Sequence, residues 1–206
     1  MIYLCENVDT DISRIKLPPE RMAKLTRYRR QKDKNLCAIS YGLFSVGVAR
    51  EYGIKEQIHW YGDSKPYTDP PIHFNISHCD LGAVCVIDSC EVGIDIQDYA
   101  SVSVNIAEVV CTDEEKEEIL SSLDPQKSMC RIWCLKESYA KYTGEGIGGK
   151  LLVFSGKSSN RFIHVGKYFT VFDLGNCCMA VCGERFFTKS DIVKIDSIEI
   201  NCFNSI

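Results

Sequence analysis

The chain has 206 residues, of which 45% are hydrophobic and 25% are charged, and its formal net charge at pH 7 is −4. This composition is ordinary for a globular protein with one large domain or two small lobes. Nucleic-acid-binding proteins are usually basic, so the negative charge argues against that class. The N-terminus lacks the features of a secretory signal, and no stretch reaches the ~18 apolar residues of a membrane helix. We therefore expect a soluble, cytoplasmic protein.

The first half of the chain is predicted to contain a helical region followed by strands. Apolar residues at helical spacing predict one long or broken helix over 18–52, which ends near Gly53. A loop rich in Gly, Pro and Asp follows over 61–71. Alternating apolar residues then predict strands at 73–77, 82–87 and 91–97, with a turn at 88–90.

The second half repeats this order, with helices first and strands after. Helices are predicted over 104–122 and 126–143, because Thr112 is a suitable N-cap before three acidic residues and Gly144 is a suitable C-terminal stop. Further strands are predicted at 150–155, 161–165, 168–174, 177–183 and 192–200.

A short internal repeat supports two similar halves. Asp-Leu-Gly occurs at 80–82 and again at 173–175, and each copy precedes an apolar, strand-like run. We predict an α+β protein with two similar lobes, 1–98 and 99–206, each of ordinary but small domain size.

The twelve cysteines are interpreted as small buried hydrophobic residues in a reducing compartment. Several, such as Cys85, Cys178 and Cys182, lie in apolar runs. Cys130 and Cys134 are four residues apart on a predicted helix, but no Cys-x-x-Cys pair or partner pair at zinc spacing accompanies them.

The predicted strand at 91–97 carries the first candidate site residue. Alternation places Gly93, Asp95 and Gln97 on the face opposite the apolar residues. Aspartate is uncommon in strands, and a carboxylate beside a core needs a partner. A bound cation is one such partner, and a nearby Lys or Arg is the alternative.

The predicted helix at 126–143 carries the second candidate. Trp133, Glu137 and Lys141 fall at positions i, i+4 and i+8, on one helix face. Glu137 and Lys141 are arranged as in an ordinary surface ion pair. They also fit a metal ligand with a neighbouring ammonium, as phosphoryl chemistry requires.

His78, at the end of a predicted strand, is the third candidate. A lone histidine is usually a structural hydrogen-bonding residue, but a strand-end histidine near a carboxylate strand also fits a phosphate contact.

Together, these segments resemble the 4′-phosphopantetheinyl transferase family, surfactin (Sfp) type. The family pattern consists of an N-x-S-H strand, a G-[IV]-D strand and a W-x-x-K-E-[AS]-x-x-K helix that ends in G-x-G. The chain contains Phe-Asn-Ile-Ser-His at 74–78, Gly-Ile-Asp at 93–95 and Trp-Cys-Leu-Lys-Glu-Ser at 133–138, in that order. The resemblance is strong from Lys65 to about Ile147, and the remainder fits by length and pattern only.

The resemblance implies an enzyme that transfers the phosphopantetheine arm of coenzyme A to a serine of an apo carrier protein and releases 3′,5′-ADP. It implies a pseudo-twofold arrangement of two lobes, each an antiparallel sheet packed with helices, with the active site in the cleft between them. Mg²⁺ would be held by Asp95 and Glu137. Glu137 would also accept the serine proton, directly or through water, and Lys141 would steady the phosphates and the leaving group. Ser77, His78 and Lys65 would contact the nucleotide and phosphates of coenzyme A.

The partners implied are coenzyme A and an acyl or peptidyl carrier protein, with a fatty-acid, polyketide or nonribosomal-peptide pathway left open. Carrier domains of this kind are usually acidic, and the segment 98–120 is the expected receiving surface. We expect a monomer.

One residue departs from the family pattern, and one basic segment has two possible roles. Many members carry Glu where this chain has Gln97, whose uncharged amide oxygen remains a possible third metal ligand, directly or through water. A basic stretch formed by Arg27, Arg29, Arg30, Lys32 and Lys34 is either a nucleotide contact or a solvated helix face.

Two other functional classes match parts of the sequence. Gln97 leaves open a non-catalytic relative that binds coenzyme A or a carrier. The loop 144–150 matches G-x-G-x-x-G and G-x-x-x-x-G-K, but it follows a helix and precedes a strand, and Leu151 stands where a P-loop needs Ser or Thr. We therefore do not expect a nucleotide-hydrolase site there.

Overall fold

The computed structural model describes residues 1–6, 8, 11–13, 15, 17–55, 58–59, 65–146 and 152–203. The helices are α1 (Pro19–Leu25), α2 (Gln31–Tyr52), α3 (Ala107–Val110), α4 (Asp113–Ser121), α5 (Pro125–Thr143) and α6 (Ser197–Phe203). The strands are β1 (Ile2–Cys5), β2 (His73–Cys79), β3 (Gly82–Asp88), β4 (Gly93–Asp98), β5 (Arg161–His164), β6 (Lys167–Asp173), β7 (Cys177–Gly183) and β8 (Ile192–Lys194).

The first of two compact units comprises Met1–Val92 and Thr188–Ile206. Its sheet has the order β2-β3-β1-β8, antiparallel except for the β1–β8 pair. Helix α2 contributes Leu43 and Phe44 to a buried cluster with Phe74 of β2 and Cys85 of β3. The ring centroids of Phe44 and Phe74 lie 4.5 Å apart.

The second unit comprises Gly93–Phe187. Its sheet has the order β4-β7-β6-β5 and is antiparallel throughout. Helix α5 packs on this sheet, and Cys134 and Leu135 share a buried cluster with Phe154 and Phe169. The side chain of Asp124 caps the helix by accepting the Lys127 N–H, and Gly144 ends it with a left-handed φ of 77°.

The two units share a topology. In each, a first strand (β1 or β4) is followed by a long helix (α2 or α5) and a hairpin (β2–β3 or β6–β7). The second strand of the hairpin then pairs antiparallel with the first strand. Both copies of Asp-Leu-Gly lie at the turn of the hairpin, which gives the short sequence repeat a structural basis. The predicted α+β class is confirmed.

The compact units divide the chain differently from the predicted lobes at both ends. The strand β4 joins the second unit because it pairs with β7, from Gly93↔Cys182 to Asp98↔Cys177. The C-terminal segment returns to the first unit because β8 pairs with β1. The cleft expected between lobes stays a prediction.

Several predicted elements have different bounds. The helical region 18–52 is broken, because Arg30 is extended, and the region 104–122 is broken because Cys111 and Thr112 are extended. Residues 152–155 are not a strand, and 147–151 lie outside the described residues. The strand predicted at 192–200 ends at Lys194, after which α6 begins, with Asp196 accepting the Ile198 N–H. The strand β1 was not predicted.

Nine of the twelve cysteines are buried, as expected for small hydrophobic residues, whereas Cys90 and Cys202 are exposed and Cys111 is intermediate. Among the described residues, no helix is both long and apolar enough to cross a bilayer.

A buried ion pair joins α4 and α5 in the second unit. Lys136 Nζ lies 2.9 Å from the carboxylate of Glu115 and donates to the Leu152 carbonyl at 2.7 Å. Glu115 also accepts the backbone N–H groups of Thr112 and Phe154, at 2.9 and 2.7 Å. The two charged side chains are only 1% and 0% exposed. The pair therefore fixes α4, α5 and the chain at 152–154 relative to one another.

We predict that Lys136→Met destabilises the protein by about 3–5 kcal/mol, because it leaves the Glu115 carboxylate buried without its cation. Combining it with Glu115→Gln, which removes that charge but keeps the acceptor oxygen, should recover part of the loss. Urea unfolding measures both changes. The matched control is Lys194→Met, which removes an exposed ion pair with Glu6. An equal effect of the two lysine substitutions would contradict the prediction.

Candidate functional site

The candidate site depends on a close approach between α5 and β4. A Cβ atom on Gly93 would lie 2.1 Å from the Ser138 carbonyl oxygen and 2.4 Å from the Tyr142 nitrogen, so only glycine fits there. On the neighbouring strand β7, the small residues Cys178 and Ala180 belong to the core cluster that includes α5. The sequence thus lets helix and sheet meet with little side-chain volume between them.

Asp95, two residues after Gly93 on β4, points toward the same helix. Its side chain is 1% exposed. Lys141 Nζ lies 2.6 Å from Asp95 Oδ1, and Gln97 Nε2 donates to Asp95 Oδ2 at 3.1 Å. The sequence left two partners open for Asp95, a bound cation or a nearby Lys or Arg. In this structure the partner is Lys141. The Gln97 amide presents its nitrogen, rather than its oxygen, to Asp95.

Glu137, one helical turn before Lys141, lies within electrostatic range of Asp95. Burial raises the pKa of the Glu137 carboxyl, the negative charge of Asp95 raises it further, and Lys141 partly offsets the shift. The structure thus brings together Asp95, Gln97, Glu137 and Lys141.

The oxygen atoms of Asp95 and Glu137 determine which metal ion these side chains could bind. The two carboxylates, which repel each other, form a small set of hard oxygen donors that suits Mg²⁺. Among the described residues there is no group of three or more His, Cys, Asp or Glu side chains arranged to hold a metal. Two carboxylates suffice for Mg²⁺, because this ion keeps several waters and binds substrate phosphates.

The C-terminal turn of α5 is anchored by a surface network. The Tyr142 hydroxyl donates to Glu184 Oε1, which also accepts from Lys167 Nζ at 2.7 Å. Lys167 Nζ lies 5.1 Å from the centroid of the Tyr142 ring. Because Tyr142 follows Lys141 directly, this network holds the turn that presents the lysine to Asp95. Trp133 packs against the core cluster of the second unit.

In the first unit, His78 lies near the end of β2, beside a charged cluster. Hydrogen bonds from Arg30 hold the pKa of Asp33 below its usual value, and the charge of His78 contributes to the shift. Arg30 and Lys32 lie 3.5 and 3.6 Å from the carboxylate of Asp80. Two members of the basic stretch are thus close to the strand end that carries His78. Ser77 is buried in β2.

Lys65 occupies a separate place in the first unit. Its ammonium bonds to the Glu91 carboxylate and to the Val92 carbonyl oxygen at 3.1 Å. His73 Nδ1 lies 3.4 Å from the same carboxylate. All three side chains line a cavity of about 280 Å³. Lys65 is therefore held by an acidic partner beside a cavity.

The sequence analysis did not predict how three residues help to position the site. Lys136 lies inside the helix motif but was assigned no role, because its partner Glu115 is 21 residues away. Gly93 was placed on the correct face, but its contact with α5 was not foreseen. Glu184 was not predicted, because it lies outside every motif found in the sequence. The glycine-rich loop at 144–150 lies partly outside the described residues, and its Gly144 serves as the helix C-cap.

Comparison with known proteins gives a consistent family. Residues 91–176 match the model of the 4′-phosphopantetheinyl transferase superfamily. A 4′-phosphopantetheinyl transferase of Bacillus subtilis is 30% identical over 145 residues, which cover 66% of this chain and 64% of the relative. The 4′-phosphopantetheinyl transferase Sfp of Bacillus subtilis strain 168 is 28% identical, over 68% of this chain and 65% of the relative. The corresponding gsp protein of Aneurinibacillus migulanus is 39% identical, over 40% of this chain and 36% of the relative.

The chain spans slightly less than two thirds of the length of the first two relatives. The solved structure of Thermotoga maritima holo-[acyl-carrier-protein] synthase aligns with 46% of this chain and 62% of that chain, at 19% identity and a TM-score of 0.35, which is too low to bear on the fold. Through the superfamily match at 91–176, these relatives and the three motifs, the chain is similar to 4′-phosphopantetheinyl transferases of the Sfp type.

Proposed function

We propose that this protein transfers the phosphopantetheine arm of coenzyme A to a serine of an apo carrier protein, with Mg²⁺ bound at Asp95 and Glu137. The observation that carries the proposal is the convergence of Asp95, Glu137 and Lys141 in the segment that matches the superfamily model. Mg²⁺, when bound, would supply positive charge to the pyrophosphate of coenzyme A.

Glu137 is the proposed base that accepts the proton of the attacking serine. Efficient base catalysis requires a pKa near the working pH, and burial together with Asp95 moves the pKa of Glu137 upward, in that direction. As the serine oxygen attacks the β-phosphate, the bond between the two phosphates breaks and 3′,5′-ADP leaves.

Lys141 is the proposed cation for the phosphates and the leaving group. Its side chain is 28% exposed while Asp95 is 1% exposed, so the ammonium lies on the solvent side of the pair and is accessible to a phosphate. Phosphoryl transfer depends mainly on positioning and charge stabilisation, and a fixed ammonium provides both. Gln97 would orient Asp95 through its hydrogen bond, and an amide rotation would turn its oxygen toward the metal.

The nucleotide end of coenzyme A is assigned to residues of the first unit. We propose that His78 and Ser77 contact it, with His78 near the 3′-phosphate, where Arg30 and Lys32 add positive charge. Lys65 would contact a phosphate by exchanging its carboxylate partner Glu91 for the substrate. Carrier docking on the segment 98–120, a monomeric state and a cytoplasmic location remain predictions from the sequence.

The proposed transfer would change the mass of the carrier protein. Incubation with Mg²⁺, coenzyme A and a panel of apo carriers should raise the intact mass of at least one carrier by one phosphopantetheine group. Asp95→Asn and Glu137→Gln should slow the reaction by ~10²–10⁴-fold, because each removes a metal ligand and Glu137 is also the base. Glu6→Gln, on an exposed ion pair, is the matched control and should keep full activity.

Near-ultraviolet circular dichroism shows whether each variant is folded. If no carrier in the panel gains mass, transfer is contradicted. Coenzyme A binding without mass gain would identify the non-catalytic relative that Gln97 left open.

The raised pKa of Glu137 predicts a specific pH dependence of stability. Between its unfolded value, near 4.5, and its raised native value, the folded protein binds more protons, so stability falls as pH rises through this window. Below the window the carboxyl is protonated in both states and contributes nothing. Wild type should therefore lose stability relative to Glu137→Gln as pH rises, in urea unfolding with EDTA present.

Replacing EDTA with Mg²⁺ should stabilise the wild type more than Glu137→Gln, because a bound cation neutralises the two carboxylates. A pH-independent difference would contradict the raised pKa. Equal stabilisation by Mg²⁺ would contradict a metal ligand at Glu137.

The assignment of His78 predicts selectivity for the 3′-phosphate. His78→Gln should raise KM for coenzyme A by about tenfold, since a charge-assisted hydrogen bond is lost, but leave KM for 3′-dephospho-coenzyme A unchanged. His164→Gln, in the second unit, is the control. An equal increase in KM for the two substrates would show that His78 does not contact the 3′-phosphate.

A further inference from the structure

A cavity of about 380 Å³ lies in the second unit, beside the first half of α5. This volume is at the lower end of the range for small-molecule sites, about 300–1,000 Å³. The described residues that line it do not include Asp95, Glu137 or Lys141. The cavity is therefore separate from the candidate catalytic group.

The inner wall of the cavity is apolar. Ile132 and Leu135 of α5, Val171 of β6 and Phe154 line it, and each is at most 5% exposed. Phe154 is fixed in place because its backbone N–H donates to the buried carboxylate of Glu115. This wall is a preformed surface for a hydrophobic group.

Three cations line the outer part of the cavity: Lys127, Arg131 and Lys157. The Arg131 guanidinium donates to Asn160 Oδ1 at 2.9 Å and to the carbonyl oxygens of Lys157 and Ser159, all neutral acceptors. Lys127 Nζ lies 4.9 Å from the centroid of the Tyr99 ring. Within the described part of the chain, none of the three cations forms an ion pair with a carboxylate.

The two acidic residues of the lining have other partners. Glu118 accepts the Gly156 N–H at 2.7 Å, and Asp173 accepts the Gly175 N–H at 2.8 Å. Burial lowers the pKa of Arg131, and nearby groups, Glu118 among them, offset only part of the shift. An additional anion in the cavity would compensate it.

We propose that this cavity binds a small amphipathic organic anion, with an apolar body against Phe154 and Val171 and a carboxylate, sulfonate or phosphate group at Arg131, Lys127 and Lys157. The lining has the composition of a ligand site, in which apolar walls carry the body and a few polar groups set its orientation. The proposal does not depend on the transferase activity, because binding is measured without coenzyme A or a carrier.

The test uses 8-anilinonaphthalene-1-sulfonate, whose fluorescence rises in apolar sites and which is itself an amphipathic anion. Titration of the folded 206-residue chain should show saturable binding of one molecule per chain, weakened by added salt. The uncharged analogue N-phenyl-1-naphthylamine should bind more weakly, because it lacks the group that the three cations attract.

Variants at the edge of the cavity locate the site. Lys127→Met with Lys157→Met should weaken binding of the sulfonate by about threefold to tenfold, because two favourable charges are lost, and leave the uncharged analogue unaffected. Ser158→Trp, at an exposed lining position, should block both probes. Lys55→Met, in the first unit, removes an exposed lysine outside the cavity and should change neither.

Near-ultraviolet circular dichroism confirms that each variant is folded, since a loosened core also binds the sulfonate. Binding that is insensitive to both the lysine pair and Ser158→Trp would overturn the proposal. Displacement of the probe by coenzyme A, or by an apo carrier, would also overturn it, because the cavity would then belong to the transferase substrates.

Discussion

The contact between Gly93 and the backbone of α5 is the constraint on which the candidate site depends. A helix on a sheet is normally held off by side chains at the interface, at about 10 Å. Here the first residue of β4 has no side chain, and the position it would fill is 2.1 Å from the Ser138 carbonyl oxygen. The close approach lets the short side chain of Asp95 reach an ammonium that belongs to the last turn of the helix.

That approach also determines the electrostatics of the site. Burying a carboxylate without a partner would destabilise the fold, and Lys141 offsets that cost by pairing with Asp95 at 2.6 Å. At Glu137, by contrast, burial and the negative charge of Asp95 raise the pKa of the carboxyl group. The two neighbouring carboxyl groups thus have different environments: Asp95 is paired with an ammonium, whereas the pKa of Glu137 is raised. Two acidic groups with different environments are a common basis for a division of roles in catalysis.

The sequence predicted the parts of this arrangement that local pattern controls. Alternation placed Gly93, Asp95 and Gln97 on one face, and helical spacing placed Glu137 and Lys141 one turn apart. Thr112 and Gly144 were read correctly as helix ends because caps are local features. By contrast, the strand predicted over 192–200 is correct only for Ile192–Lys194, and β1 was missed because it is held by pairing with β3 and β8, which lie far away in the chain. The Lys136–Glu115 pair was missed for the same reason, since both residues have the character of surface residues until the fold buries them.

The helix α5 shows how one segment serves several purposes without conflict. Successive residues of an α-helix are rotated by about 100°, so Glu137 and Lys141 lie about 40° apart, whereas Arg131 lies about 120° from Glu137. Lys136, one residue before Glu137, points into the unit and anchors the helix to α4. The charged residues of α5 are therefore separated by direction: Lys136 secures the helix, Glu137 and Lys141 lie near Asp95, and Lys127 and Arg131 line the 380 Å³ cavity.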